Sequence, residues 1–182
     1  MGKRSNIDFS KHELKITELD GVLIHEFKRP DTRNCMLTFI NARGVMTVTG
    51  DFGNWVFCRE FHPSADGDGV SGGYWDEKLE IASAQKSHRF DSKETEKRIN
   101  EFKETFEESY GREMSEEESD WVEQLENNVE DEYEYIYIAY REIPEDFDYE
   151  SVPFGEKRHV WLNAVYDGFD AMCEKLKNSY EK

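Results

Sequence analysis

The chain has 182 residues, a length that suits one domain able to bury a real core. Its 12 Phe, 9 Tyr and 4 Trp argue against wholesale disorder, although charged residues make up 35% of the sequence. The formal net charge of −18 exceeds what solubility needs and argues against direct binding of DNA, RNA or an anionic membrane through the acidic part.

That charge is unevenly placed. Residues 1–60 carry 9 Lys or Arg against 8 Asp or Glu, whereas residues 91–182 carry 11 against 28. Within residues 113–150 there are 16 acids and a single base, Arg141. A stretch so lopsided repels itself and every polyanion, and its natural complement is a basic protein surface. No run of 18 apolar residues occurs, and the opening residues lack the apolar core of a signal peptide. The three cysteines, Cys35, Cys58 and Cys173, suit reduced thiols better than a disulfide framework. These features predict a cytoplasmic chain of one domain over 1–182, mainly sheet over 1–63 and mainly helical over 74–182.

In chain order, the first third reads as antiparallel sheet. Leu14–Leu19, Val22–Phe27, Met36–Ile40 and Val45–Val48 are β-rich runs, the last two joined across Asn41-Ala42-Arg43-Gly44, where Gly44 is free to take positive φ. Trp55–Phe61 continues the pattern, with Trp55, Phe57, Arg59 and Phe61 on one face. His62-Pro63-Ser64 ends that strand, and a glycine-rich loop follows from Asp66 to Gly73. Tyr74–Ala84 suits a short helix. Asp91-Ser92 offers an N-cap to a helix carrying Ile99, Phe102 and Phe106 inward and ending at Gly111.

Ser115 stands three residues before Glu118, the spacing of a capping box, so a second acidic helix starts there with Trp121, Val122, Leu125 and Val129 inward. In the run from Val129 to Ile143 the helical stripe Val129, Tyr133, Ile136, Tyr140, Ile143 outweighs the alternation Tyr133, Tyr135, Tyr137 that a strand would show. Residues 145–157 read as loop. Arg158–Tyr180 reads as a closing helix with Val160, Trp161, Ala164, Val165, Phe169, Met172, Cys173 and Leu176 inward. The fold class is α+β: an N-terminal antiparallel sheet of four to five strands packed with C-terminal helices.

Catalytic and metal-binding patterns are weak. The five histidines show no paired spacing. Cys58 and His62 on one strand would stand roughly 13 Å apart, a poor metal bite. Asp66, Asp68 and Glu77 fall at the first, third and last positions of a calcium-loop frame, but Val70 and Ser71 break its interior. The expectation is therefore no catalytic residue, no metal and no cofactor. The least implausible enzymatic cluster is Cys58, His62 and Asp66, which would suit a small hydrolase.

The acidic helices carry the stronger signal. At about 1.5 Å rise per residue, Glu116, Asp120, Glu123, Glu126 or Asn127, and Glu130 or Asp131 recur along a helix at a spacing loosely comparable to that of phosphates along a nucleic-acid strand. A row of carboxylates of this kind can occupy a channel whose Lys and Arg are arranged for a sugar-phosphate backbone. The residues expected at the contact are Glu116, Glu117, Asp120, Glu123, Glu126, Glu130, Asp131 and Glu134, with Tyr133 and Tyr137 as amphipathic contacts.

The block TFINARGVMTVTGDFGNWVFCREFHP, Thr38 to Pro63, together with the acidic remainder and the length, resembles a family of small proteins carried by phages and mobile elements of gut Firmicutes. One group of that family resembles anti-CRISPR inhibitors of type II-A Cas9. The resemblance implies stoichiometric binding to the Cas9–guide RNA complex in the cytoplasm of the bacterial host, with no turnover and with target DNA binding or cleavage blocked. Cas9 holds its heteroduplex in a positively charged channel, which an acidic decoy would suit. An acidic phage protein that binds another basic host protein fits the same residues, and oligomeric state is left open.

Overall fold

Glu13–Leu19 (β1) and Val22–Lys28 (β2) pair antiparallel across Asp20-Gly21, and Leu37–Ala42 (β3) and Val45–Gly50 (β4) pair across Arg43-Gly44. Both residues of each turn hold positive φ, +49° and +77° in the first and +53° and +85° in the second, as a type I′ hairpin requires. These turns belong to a computed structural model describing residues 4–64, 72–82 and 87–180. The second turn is tighter than the sequence suggests, because Asn41 and Ala42 remain in the ladder.

Six strands form the sheet, in the order β1-β2-β3-β4-β5-β6, with every neighbouring pair antiparallel. Trp55–Phe57 is β5, shorter than the expected Trp55–Phe61. The chain bends away after Phe57, and the buried Asn41 side chain binds the Phe61 backbone at both N–H and C=O, at 3.0 and 2.9 Å. The sixth strand, Leu79–Ala82 (β6), arises where a helix was expected over Tyr74–Ala84: the helix (α1, Gly72–Lys78) stops at Lys78, and the next residues pair with β5 through a bulge. Pairing with a distant strand overrides local propensity there.

The chain divides into two units, Met1–Ser87 with Arg158–Lys182, and His88–Lys157. In the first, the closing helix Val160–Tyr180 (α5) covers one face of the sheet. Trp75 from α1 is fully buried between Phe57, Tyr166 and Phe169, and Phe39 meets Phe169 edge-on at 5.8 Å. Gly168 explains itself here. A Cβ at that position would stand 2.3 Å from a Leu37 methyl, so glycine lets the helix approach the sheet closely. The helix starts two residues later than expected; Ala164, Val165, Phe169, Met172 and Cys173 are buried as expected, but Val160 and Trp161 are exposed, and Leu162 and Tyr166 join the buried set. Asp76 of α1 accepts a 2.7 Å hydrogen bond from the Tyr166 hydroxyl and pairs with Arg158, which ties α1 to α5.

The second unit holds three helices and a short ribbon, except the ribbon's last residue, Arg158. They are α2 (Ser92–Tyr110), α3 (Glu116–Asn127) and α4 (Glu132–Arg141); His88–Phe90 (β7) pairs with Glu156–Arg158 (β8). The ribbon takes residues from the stretch expected to be loop. The architecture is thus α+β: a six-stranded N-terminal antiparallel sheet packed against the C-terminal helix α5, with α2, α3 and α4 in the second unit. No described helix is long and apolar enough to cross a membrane.

Candidate partner-binding surface on the acidic helical unit

Local signals build this unit. Asp91 caps α2 by accepting from the Glu94 N–H at 3.0 Å, and Gly111 closes it at φ +68°. Ser115 and Glu118 complete a reciprocal capping box at the start of α3, and Asp131 caps α4 by accepting from the N–H groups of Tyr133 and Glu134. The core gathers Ile99 and Phe106 from α2, Trp121, Val122 and Leu125 from α3, Tyr135, Ile138 and Ala139 from α4, and Phe147 and Val152 from the following loop. The Trp121 indole N–H donates to the Ile138 carbonyl at 3.2 Å, and the Tyr135 hydroxyl to the Pro153 carbonyl. Burial pushes the Tyr135 phenol well above its ordinary pKa.

Glu118 is buried and belongs to the fold. Arg112 grips both its oxygens at 2.7 Å, and the Ser115 N–H donates to it at 2.7 Å. Arg112 beside it holds the carboxyl down at a pKa of about 2. Arg112 also reaches Asp146 at 3.1 Å.

Opposite this inward stripe, Glu116, Asp120 and Glu123 recur at i, i+4 and i+7 on the outer side of α3, all exposed. Among the described residues, Glu116, Glu117, Asp120, Glu123, Glu130 and Glu134 form no salt bridge. Two expected contact residues have local duties instead. Glu126 is half-buried and bound to Lys103 of α2 at 2.8 Å, and Asp131 is committed to its cap.

The phase of α4 corrects the sequence reading. Tyr135, Ile138 and Ala139 face the core, not Tyr133 and Ile136. Tyr133 is 88% and Tyr137 53% exposed, as expected of contact residues, and Tyr149 is 67% exposed with its ring 5.8 Å from that of Tyr140. Tyrosine ambiguity caused the error, since an amphipathic ring does not set the phase of a helix. Tyr149 lies in loop, where periodicity is silent.

Elsewhere, the exposed Cys58 and the pair His62–Glu60, 3.0 Å apart, lie after β5. No hydrogen bond joins Cys58 to His62 among the described residues. Asp66, which would complete that cluster, lies outside the described residues, as does most of the calcium-loop frame with Asp68, Val70 and Ser71. Among the described residues no three His, Cys, Asp or Glu side chains are grouped to hold a metal ion. No protein-family model matches the chain, and neither the curated proteins nor the solved structures include a match.

Proposed function

We propose that this protein acts by stoichiometric binding, with the acidic helical unit seated on a basic groove of a nucleic-acid-handling protein. The carrying observation is the row Glu116, Asp120, Glu123 on the outer side of α3, exposed on an ordered helix and in no salt bridge among the described residues. Self-repulsion among such carboxylates weakens the folded state, and a surface of Lys and Arg relieves it. Tyr133 and Tyr137 add rings that receive an Arg guanidinium face-on.

The Cas9–guide RNA complex is the partner that the Thr38–Pro63 resemblance favours, and its heteroduplex channel has the required charge. Inhibition then follows from occupancy: target DNA cannot enter a channel already filled with carboxylates. The test is cleavage by purified guide-loaded type II-A Cas9 at increasing protein, repeated with Asp120→Lys, Glu123→Lys and Glu130→Lys combined. Inhibition that saturates near one equivalent, and at least a tenfold loss of affinity in the triple variant, is expected. Full cleavage at excess protein would remove Cas9 as partner. Undiminished inhibition by the reversed variant would move the interface off α3.

A further inference from the structure

The face of the six-stranded sheet turned away from α5 has an unexpected composition. Antiparallel sheets with one solvated face usually alternate apolar inward with polar outward. Here the inward positions are Phe27, Phe39, Met46 and Trp55, all buried, but several outward positions are also apolar. The register aligns Ile24 with Ile40, Ile40 with Thr47, Thr47 with Val56 and Val56 with Ile81, so one continuous band crosses β2 to β6. A second row, Leu19, Val22, Ala42 and Val45, runs beside it. None of Ile24, Ile40, Val56 and Ile81 belongs to either hydrophobic core, and Ile81 is 58% and Leu19 69% exposed. Strand propensity accounts for the threonines on this face. It does not require four aliphatic side chains in register, and monomers rarely leave such a band open to water.

We propose that this open face binds a second copy of the same chain, sheet against sheet. Charge selects the occupant. In a molecule of net −18 the strands β1 and β2 bring two acids and two bases to this face, Glu13 in register with Lys28 and Glu26 bound by Lys15 at 3.1 Å, so the face carries no excess charge there. A second copy meets no row of unpaired carboxylates there, whereas the basic partner suited to the helical unit gains nothing from a neutral surface. Shape agrees, because twisted sheets stack face to face at about 30° with their side chains interdigitated. Area agrees too. Four strands about 20 Å long and two about 10 Å long, each about 4.8 Å wide, give about 500 Å² per copy. The total of about 1,000 Å² lies at the lower end for a specific interface, so the dimer is weak and depends on concentration. The inference is independent of the function proposed above.

Sedimentation velocity from micromolar to millimolar concentration tests it. The parent chain is expected to shift from 21.5 kDa toward twice that mass, and the shift should persist or strengthen with added salt, which screens the repulsion between copies. Ile40→Lys in the centre of the band should weaken dimerisation at least about tenfold, with the far-ultraviolet circular dichroism unchanged. If that variant fails to fold, Ile81→Lys on the exposed edge should give the same direction of change. A monomer at every concentration, dissociation by salt, or a folded lysine variant that dimerises like the parent would each overturn the proposal.

Discussion

The two units of this chain bury much the same kind of core and carry very different charge. The sheet unit has 17 Asp or Glu against 15 Lys or Arg, and the helical unit 24 against 8. Trp55, Trp75 and Phe169 in one and Trp121, Tyr135 and Phe147 in the other remove aromatic surface from water by the same means. The acids of the helical unit are therefore not a requirement of folding as such. Some of them do serve it: Asp91, Glu118 and Asp131 cap helices, and Asp148 accepts from the Ser151 N–H at 2.9 Å. The remainder crowd one sign of charge onto a small scaffold, an arrangement that a partner can select and that stability alone would not.

Acid should separate the units, and the larger effect belongs to the sheet unit. His25 in β2 is buried with its Nδ1 lacking a hydrogen-bond partner, and burial, reinforced by the charge of His62, lowers its pKa to about 4. The folded chain keeps this imidazole neutral while the unfolded chain takes up a proton below about pH 6.5. Stability is therefore complete above that pH and falls between about 6.5 and 4, by up to about 3 kcal/mol. His25→Leu cannot take the proton and should flatten the slope of urea-unfolding free energy over this window. An unchanged slope would mean that His25 is solvated.

The helical unit should respond later. The folded pKa of Glu118, about 2, lies below the ordinary carboxylate value of 4.5, so its contribution is complete above about pH 4.5 and lost as pH falls toward 2. Glu118→Gln keeps the shape but loses the charge-assisted bonds to Arg112, and should cost about 2 kcal/mol at neutral pH. Amide spectra through an acid titration should show β2 and β3 perturbed before α3. The reverse order would break the assignment of these two groups.

The contrast also explains what was readable in advance. The capping box at Ser115, the Asp91 cap and the Gly111 stop are written in adjacent residues, so both flanking helices were legible. The Asp20-Gly21 turn is an equally local signal that the sequence reading passed over. Features that depend on distant partners were not legible: β6 exists because β5 offers an edge, and Glu126 is withdrawn from the surface because Lys103 sits opposite on α2. The outer carboxylates of α3 were found because exposure is the ordinary state of an unpaired Glu. The phase of α4 was not, since Tyr133, Tyr135 and Tyr137 look alike in sequence and only the Pro153 carbonyl and the rings of Phe90 and Phe154 select Tyr135.

The smallest expected effect is the one that best tells surface duty from structural duty. Asp120 and Glu123 form no salt bridge among the described residues, and they lie along the middle of α3, beyond the first turn where negative charge favours a helix. Their like-charged neighbours make neutralisation, if anything, mildly favourable. Asp120→Asn with Glu123→Gln should therefore change the urea-unfolding free energy by no more than about 0.5 kcal/mol, while affinity for a basic partner drops. A loss above about 1 kcal/mol would show that these carboxylates hold α3 in place, and would leave the acidic row with a structural explanation.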